Sequence, residues 1–176
     1  MRQATELLSQ YAQYHRDRRN ISMHLIGVPM MVFAVGILLS RPSHDLGGWQ
    51  LSPAWLLFAP LAAWYLTRGQ LLLGLAVSVG MAATLHLAQQ WTAASSTSTW
   101  LAWGLGSFVL GWLLQLVGHY YEGRRPAFID DTVSFAIGPM FVVAEALFSL
   151  GWNQSLLREI ERHAGPSLLR DLAHPV

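Results

Sequence analysis

The chain has 176 residues and a formal net charge of +1, with 53% hydrophobic and only 12% charged residues, about half the roughly 25% charged share of soluble domains. Between Leu46 and Tyr121 the only charged residue is Arg68, so the composition excludes intrinsic disorder, a nucleic-acid binder and an ordinary soluble enzyme core. Cysteine and lysine are both absent, which removes disulfides, thiolate nucleophiles, zinc-thiolate and iron–sulfur centres, and Schiff-base chemistry.

Met1 to Asn20 is polar, with Arg2, Arg16, Arg18 and Arg19, and shows no apolar run of the kind a signal peptide needs. Leu7, Leu8, Tyr11 and Tyr14 recur at helical spacing, which predicts a helix over residues 1–22, lying on the membrane surface and carrying His15. Five apolar stretches follow, at Leu25–Ser40, Pro53–Thr67, Leu71–Trp91, Trp100–Tyr120 and Val133–Gly151. A membrane-crossing helix needs about 20 apolar residues, which the third and fourth supply. The first and second are shorter and hold Pro29 and Pro60; the fifth holds Gly138-Pro139 and Glu145 and reads as re-entrant or interfacial. Trp49, Trp55, Trp64, Trp91, Trp100, Tyr120 and Trp152 gather near the ends of the stretches, as in an aromatic belt.

Arg placement sets the orientation. The N-terminal segment, Arg68, Arg124-Arg125 and the tail with Arg158, Arg162 and Arg170 all ask for the cytoplasmic side, and only Arg41 falls on the other. A tail on the same side as the N-terminus requires an even number of crossings. The expected fold is an all-α integral membrane bundle. It has four full spans and a fifth re-entrant or interfacial helix within a transmembrane domain over 23–151, followed by a cytoplasmic tail over 152–176.

That orientation sorts the seven His. His15, His24 and His119, with Glu122 one turn on, fall at the cytoplasmic face without being neighbours in sequence. His86 falls near the opposite face, His44 in the outer loop, and His163 and His174 in the tail. In Gln115-x-x-Gly118-His119-x-x-Glu122, positions 115, 119 and 122 share a helix face. A His with a carboxylate three residues on can chelate a metal. The alternative is an interfacial His119 with Glu122 paired to Arg124 or Arg125. His15 and His24 stand about 180° apart on a continuous helix and share a ligand only if the chain turns between them, with Asn20 a candidate helix cap. Glu145 is either a partner that orients a ligand His or a buried acid bonded to backbone freed by Pro139. Arg125-Pro126 and Asp130-Asp131 fit binding of a substrate carboxylate or, for the aspartates, capping of the next helix. His86 reads as an interfacial histidine.

Taken together, Tyr11…His15…Asn20…His24-x-x-Gly27-x-Pro29 and Gln115-x-x-Gly118-His119-x-x-Glu122 followed by Arg125-Pro126-Ala127 resemble a known family. It is the small membrane proteins that include the yeast endoplasmic-reticulum 2-hydroxy fatty acid dioxygenase. Gly138-Pro139 and Glu145 fit that family's last apolar segment, and the likeness covers about residues 5–150. The resemblance implies an Fe(II)-dependent dioxygenase that shortens 2-hydroxy fatty acids by one carbon with O₂, as in α-oxidation. It implies His15, His24 and His119 as iron ligands and Glu122 as a fourth ligand or a base beside them. Imidazole and carboxylate ligands with open positions suit non-haem Fe(II), and Arg124 or Arg125 offers a bidentate partner for the substrate carboxylate. Tyr11, Asn20, Gln115 and Glu145 are expected around the metal or substrate. The expected partners are the fatty acid, O₂ and the bilayer, without nucleic acid and with a homo-oligomer left open. The expected place is a bacterial inner membrane or the endoplasmic reticulum. The competing readings are a haem-binding bundle, which would use His on facing spans, and a non-catalytic scaffold or carrier, which would hold no metal.

Overall fold

Where the chain starts and stops its helices decides which side chains meet. The structure is a computed structural model that describes residues 2–127 and 131–171. Its helices are α1 (Ala4–Ala12), α2 (Arg18–Leu38), α3 (Pro53–Leu66), α4 (Leu71–Thr92), α5 (Thr97–Glu122), α6 (Ser134–Ser149) and α7 (Gln154–Ala164). A short antiparallel hairpin, β1 (His44–Leu46) and β2 (Trp49–Leu51), interrupts the series after α2.

The central pair is α2 and α5, packed antiparallel. A Cβ on Gly27 would stand 3.0 Å from the Gly111 carbonyl, and one on Gly111 would stand 3.0 Å from the Gly27 carbonyl. The two backbones therefore touch, as small residues allow between helices in lipid. Asp17 starts α2, its Oδ1 accepting the Arg19 N–H at 2.8 Å. The cap is Asp17 rather than the expected Asn20, which lies in the first turns of the helix. At the other partner's end, Gly123 takes φ +66° and closes α5 directly after Glu122, its N–H donating to the carbonyls of His119 and Tyr120.

Three helices, α2, α4 and α5, are long and apolar enough to cross a membrane. The second apolar stretch, expected as a full span, forms a helix of only 14 residues, about 21 Å against a hydrocarbon core of about 30 Å. Pro53 begins it and Gly69, at φ +84°, follows its end, so local backbone chemistry limits its length. The fifth stretch forms one helix of 16 residues with Pro139 inside, packed on α1, α2 and α4.

The ends of the chain also differ from expectation. The first helix ends at Ala12, and His15 lies in the turn after it. Leu7, Leu8 and Tyr11 are buried in the protein core, where α1 packs against α6 and α7, so protein rather than the membrane surface covers this apolar stripe. The segment expected as a plain tail forms α7, which buries Leu156 and Ile160, and residues 165–171 then return to the start of α2.

Candidate metal centre

The turn between α1 and α2 brings His15 to His24, and the antiparallel α5 brings His119 to both. The His15 Nδ1–H donates to the Tyr11 carbonyl at 2.9 Å, and the His24 Nδ1–H donates to the Asn20 carbonyl at 3.0 Å. A carbonyl only accepts, so each bond fixes its ring with the proton on Nδ1 and a lone pair on Nε2. Those two Nε2 atoms face each other at 3.2 Å. The His119 ring centroid lies 4.9 Å from that of His15 and 5.1 Å from that of His24, and its Nδ1 is buried without a hydrogen bond. One nitrogen of each ring lies within 4.8 Å of the other two. All three side chains are buried. Burial, then the neighbouring imidazoles of His24 and His119, hold the His15 pKa well below its ordinary value, so its ring is neutral near pH 7.

Two neutral rings with lone pairs aimed at each other cannot share a proton. A metal ion between them removes the conflict. Two nitrogens bound to one ion at about 2.1 Å stand about 3.0–3.4 Å apart for bond angles near 90–110°, and the observed 3.2 Å falls in that range. The chemistry of the donor set and the orphaned His119 Nδ1 both fit a metal.

Glu122 is fully buried but takes a supporting place. Its Oε2 accepts the backbone N–H of Arg16 at 3.0 Å, that of Asp17 at 2.8 Å and the Asn20 side-chain amide at 3.1 Å. Its Oε1 faces the Arg170 guanidinium at 3.4 Å. Arg16 and Asp17 precede α2, so their N–H groups have no partner in the helix ladder and need an acceptor. Glu122 supplies it and thereby holds the turn that presents His15. Asn20 tightens the same turn by also donating to the Tyr14 carbonyl at 3.1 Å. The Tyr11 ring stacks on His15, with centroids 4.1 Å apart and planes 6° apart.

The other candidate residues divide. Among the described residues Glu145 bonds no His; its Oε1 accepts from Arg16 Nη2 at 3.0 Å. Arg124 donates to the Gln13 carbonyl at 3.0 Å, and both Arg124 and Arg125 are exposed. Gln115 lines the cavity described below, and neither arginine is among its lining residues. Asp131 Oδ1 accepts the Val133 N–H at 2.9 Å just before α6, a capping role; Asp130 and His174 lie outside the described residues. His86 sits by Trp49 at the opposite end, His44 in β1, and His163 beside Glu159. Sequence reasoning missed Asp17 and Arg170. The cap of α2 carries a recognisable Asp signal, but nothing in the tail marks Arg170.

A cavity of about 400 Å³ opens from the His24 and His119 rings, within the usual range for small-molecule sites. It runs along α2 past Val28, Met31 and Val32 to Val35, where Ala54 and Leu85 close its far end. Tyr11, Gln115, Thr132 and Ser134 are among its polar groups. Leu57 and Phe135 line it and remain 48% and 56% exposed, so it opens sideways on the apolar flank of the bundle.

The family model Mpo1-like, described as 2-hydroxy-palmitic acid dioxygenase Mpo1-like, matches residues 1–150. The 2-hydroxy-palmitic acid dioxygenase MPO1 of Saccharomyces cerevisiae is 32% identical over 157 residues, covering 86% of this chain and 83% of the yeast protein. No solved structure matches. With a metal-competent histidine cluster, an apolar cavity beside it and a match over most of its length, the chain belongs to the Mpo1-like family.

Proposed function

We propose that the protein is a non-haem Fe(II)-dependent dioxygenase that shortens 2-hydroxy fatty acids by one carbon with O₂. The observation that carries the reading is the pair of facing Nε2 lone pairs of His15 and His24 beside the unpartnered His119 Nδ1, at the head of an apolar cavity. His15, His24 and His119 would hold the metal. Ferrous iron bound by imidazoles with open positions supplies O₂ activation and a chelation site for a hydroxy acid. Family membership favours this over the haem and scaffold readings.

The chain's own residues divide the remaining work. Burial raises the Tyr11 pKa, so its hydroxyl stays protonated and is a donor for the substrate carboxylate. A Cβ on Gly138 would stand 3.4 Å from that hydroxyl; the glycine leaves it open to the cavity. Gln115 offers a second polar contact from the α5 side. The apolar walls exclude water and take the acyl chain. From His24 to Val35 the cavity follows α2 for about 16 Å at 1.5 Å per residue. An extended chain gains about 1.2 Å per bond, so roughly thirteen bonds fit, the order of a palmitic acid tail. The sideways opening at Leu57 and Phe135 would admit that tail from the bilayer. Ten of the eleven Arg lie at the centre's end and only Arg41 at the other, which supports a centre at the cytoplasmic face.

The test is the iron content of anaerobically purified protein and O₂-dependent loss of 2-hydroxypalmitate, native against His119→Ala. About one equivalent of iron and turnover, both lost in a folded variant, are expected. Native protein that holds no metal after anaerobic reconstitution with Fe(II) would refute the reading.

A further inference from the structure

The contacts that hold His15 do not end within the family match, which stops at residue 150. The Leu168 N–H donates to the Arg16 carbonyl, and the Arg18 N–H donates to the Leu168 carbonyl, both at 2.9 Å. This is a single parallel bridge that grips the turn on both sides of Asp17. The Arg170 N–H donates to Asp17 Oδ2 at 2.9 Å, and the Arg170 carbonyl accepts from Arg19 Nη2 at 2.8 Å. Arg16 Nη1 donates to the Gly165 carbonyl at 3.2 Å. The turn that presents His15 is therefore held from inside by Glu122 and from outside by the tail.

Arg170 links the two grips. Glu122 Oε1 is buried and accepts no hydrogen bond, and the Arg170 guanidinium at 3.4 Å is the cation that faces it. A buried carboxylate left without its cation is uncompensated, and this carboxylate is the acceptor for the backbone of Arg16 and Asp17. Loss of the Arg170 guanidinium would leave the tail's main-chain bonds in place but take the cation from Glu122, and so loosen the residues next to His15 from the inside. His15 itself is held by Tyr11 and Ala12 carbonyls at the end of α1, with no helix ladder beyond it.

We propose that residues 165–171 form a strap that positions His15, with Arg170 as its positioning residue, so that the metal centre is closed by a part of the chain outside the family match. The proposal rests on reading His15, His24 and His119 as metal ligands.

The test uses the full chain in detergent micelles, titrated anaerobically with Co(II) and read by the visible absorption of the bound ion. Arg170→Ala is expected to weaken Co(II) binding by about 10–100-fold, the usual effect of losing a group that orients a ligand, with Arg170→Lys recovering part of the loss. Leu168→Pro removes one backbone donor without a charge change and should weaken binding in the same direction; it carries the test if Arg170→Ala does not fold. Arg41→Ala, which removes an arginine bonded to the Thr92 and Ser95 carbonyls at the far end of the bundle, should leave Co(II) binding unchanged. The strap is refuted if the native chain binds Co(II) and the Arg170 and Leu168 variants bind equally well. It is refuted also if Arg41→Ala weakens Co(II) binding as much as Arg170→Ala does. A native chain that takes up no Co(II) removes the metal reading itself and the strap with it.

Discussion

The two ends of the bundle close their helices by different means. At the end that carries the histidine cluster, Arg16, Asp17, Arg19, Glu122, Glu145 and Arg170 form a web of charged hydrogen bonds around one short turn. At the hairpin end the ties are mostly single and neutral. Trp100 Nε1 donates to the Ile37 carbonyl at 2.6 Å, Trp55 Nε1 donates to Gln89 Oε1 at 2.9 Å, and Arg41 bonds the Thr92 and Ser95 carbonyls. The contrast teaches what a precise centre demands. A turn with no helix ladder has to borrow acceptors and donors from distant elements, whereas an end that only joins helices manages with a few caps. Buried charge is costly unless fully paired, so its concentration at one end marks where position matters most.

Variants at the two ends should therefore behave differently. The largest contrast is between histidines: His24→Ala should abolish metal binding and O₂-dependent turnover, while His86→Ala should leave both unchanged in the same assays. Next, Glu122→Ala removes the acceptor shared by three donors and the anion that faces Arg170. A destabilisation of about 3–5 kcal/mol is expected in chemical unfolding, as for a broken buried pair. A loss no greater than that of an exposed Glu159→Ala would contradict the web. At the middle of the scale, Ala54→Trp fills the far end of the cavity. It should raise KM for long 2-hydroxy acids by about tenfold, the worth of about one methylene in an apolar pocket, and spare shorter ones; equal effects on both would mean that the chain lies elsewhere. The smallest effect belongs to the hairpin end. Trp55→Phe forfeits one hydrogen bond and should cost about 0.5–1.5 kcal/mol, with turnover intact.

Acid sharpens the same comparison. The Asp17 carboxyl is held down to about 2, chiefly by its hydrogen bond with the Arg19 guanidinium, below an unfolded value of about 3.9. Its stabilisation is therefore complete above about pH 4 and disappears as pH falls towards 2. Unfolding midpoints measured between those limits should fall less steeply for Asp17→Asn than for the native chain.

Much of this was legible in the residues. Low charge, apolar stretches and Arg asymmetry announce a helical bundle with membrane-length helices, and sidedness alone sorts His15, His24 and His119 to one face, where the structure brings them together. The requirement that the chain turn between His15 and His24 follows from their angular separation, and the turn is there. Other features depend on packing that sequence does not display. The apolar stripe of α1 reads equally well as facing lipid or facing α6 and α7, because periodicity shows a face and not its partner. Glu122 sits at metal-binding spacing from His119, yet the unpaired N–H groups of Arg16 and Asp17 claim it. The hairpin was missed although Gly47-Gly48, at φ +64° and +90°, is a turn signal in its own right. Arg170 carried no signal, since its partners lie more than a hundred residues upstream or in the α5 end.

The bridge between Arg16 and Leu168 also has a meaning in time. A ribosome releases the chain from its N-terminus at about 5–20 residues per second. His15 emerges early and meets His24 almost at once, but waits for His119, and longer still for Leu168 and Arg170. That interval is roughly 8–30 seconds at such rates. Through it the first two histidines are out while the third, and then the tail, are still missing. The turn that presents His15 thus gains its last main-chain partners long after its own residues are made, and its final form follows the arrival of residues 165–171.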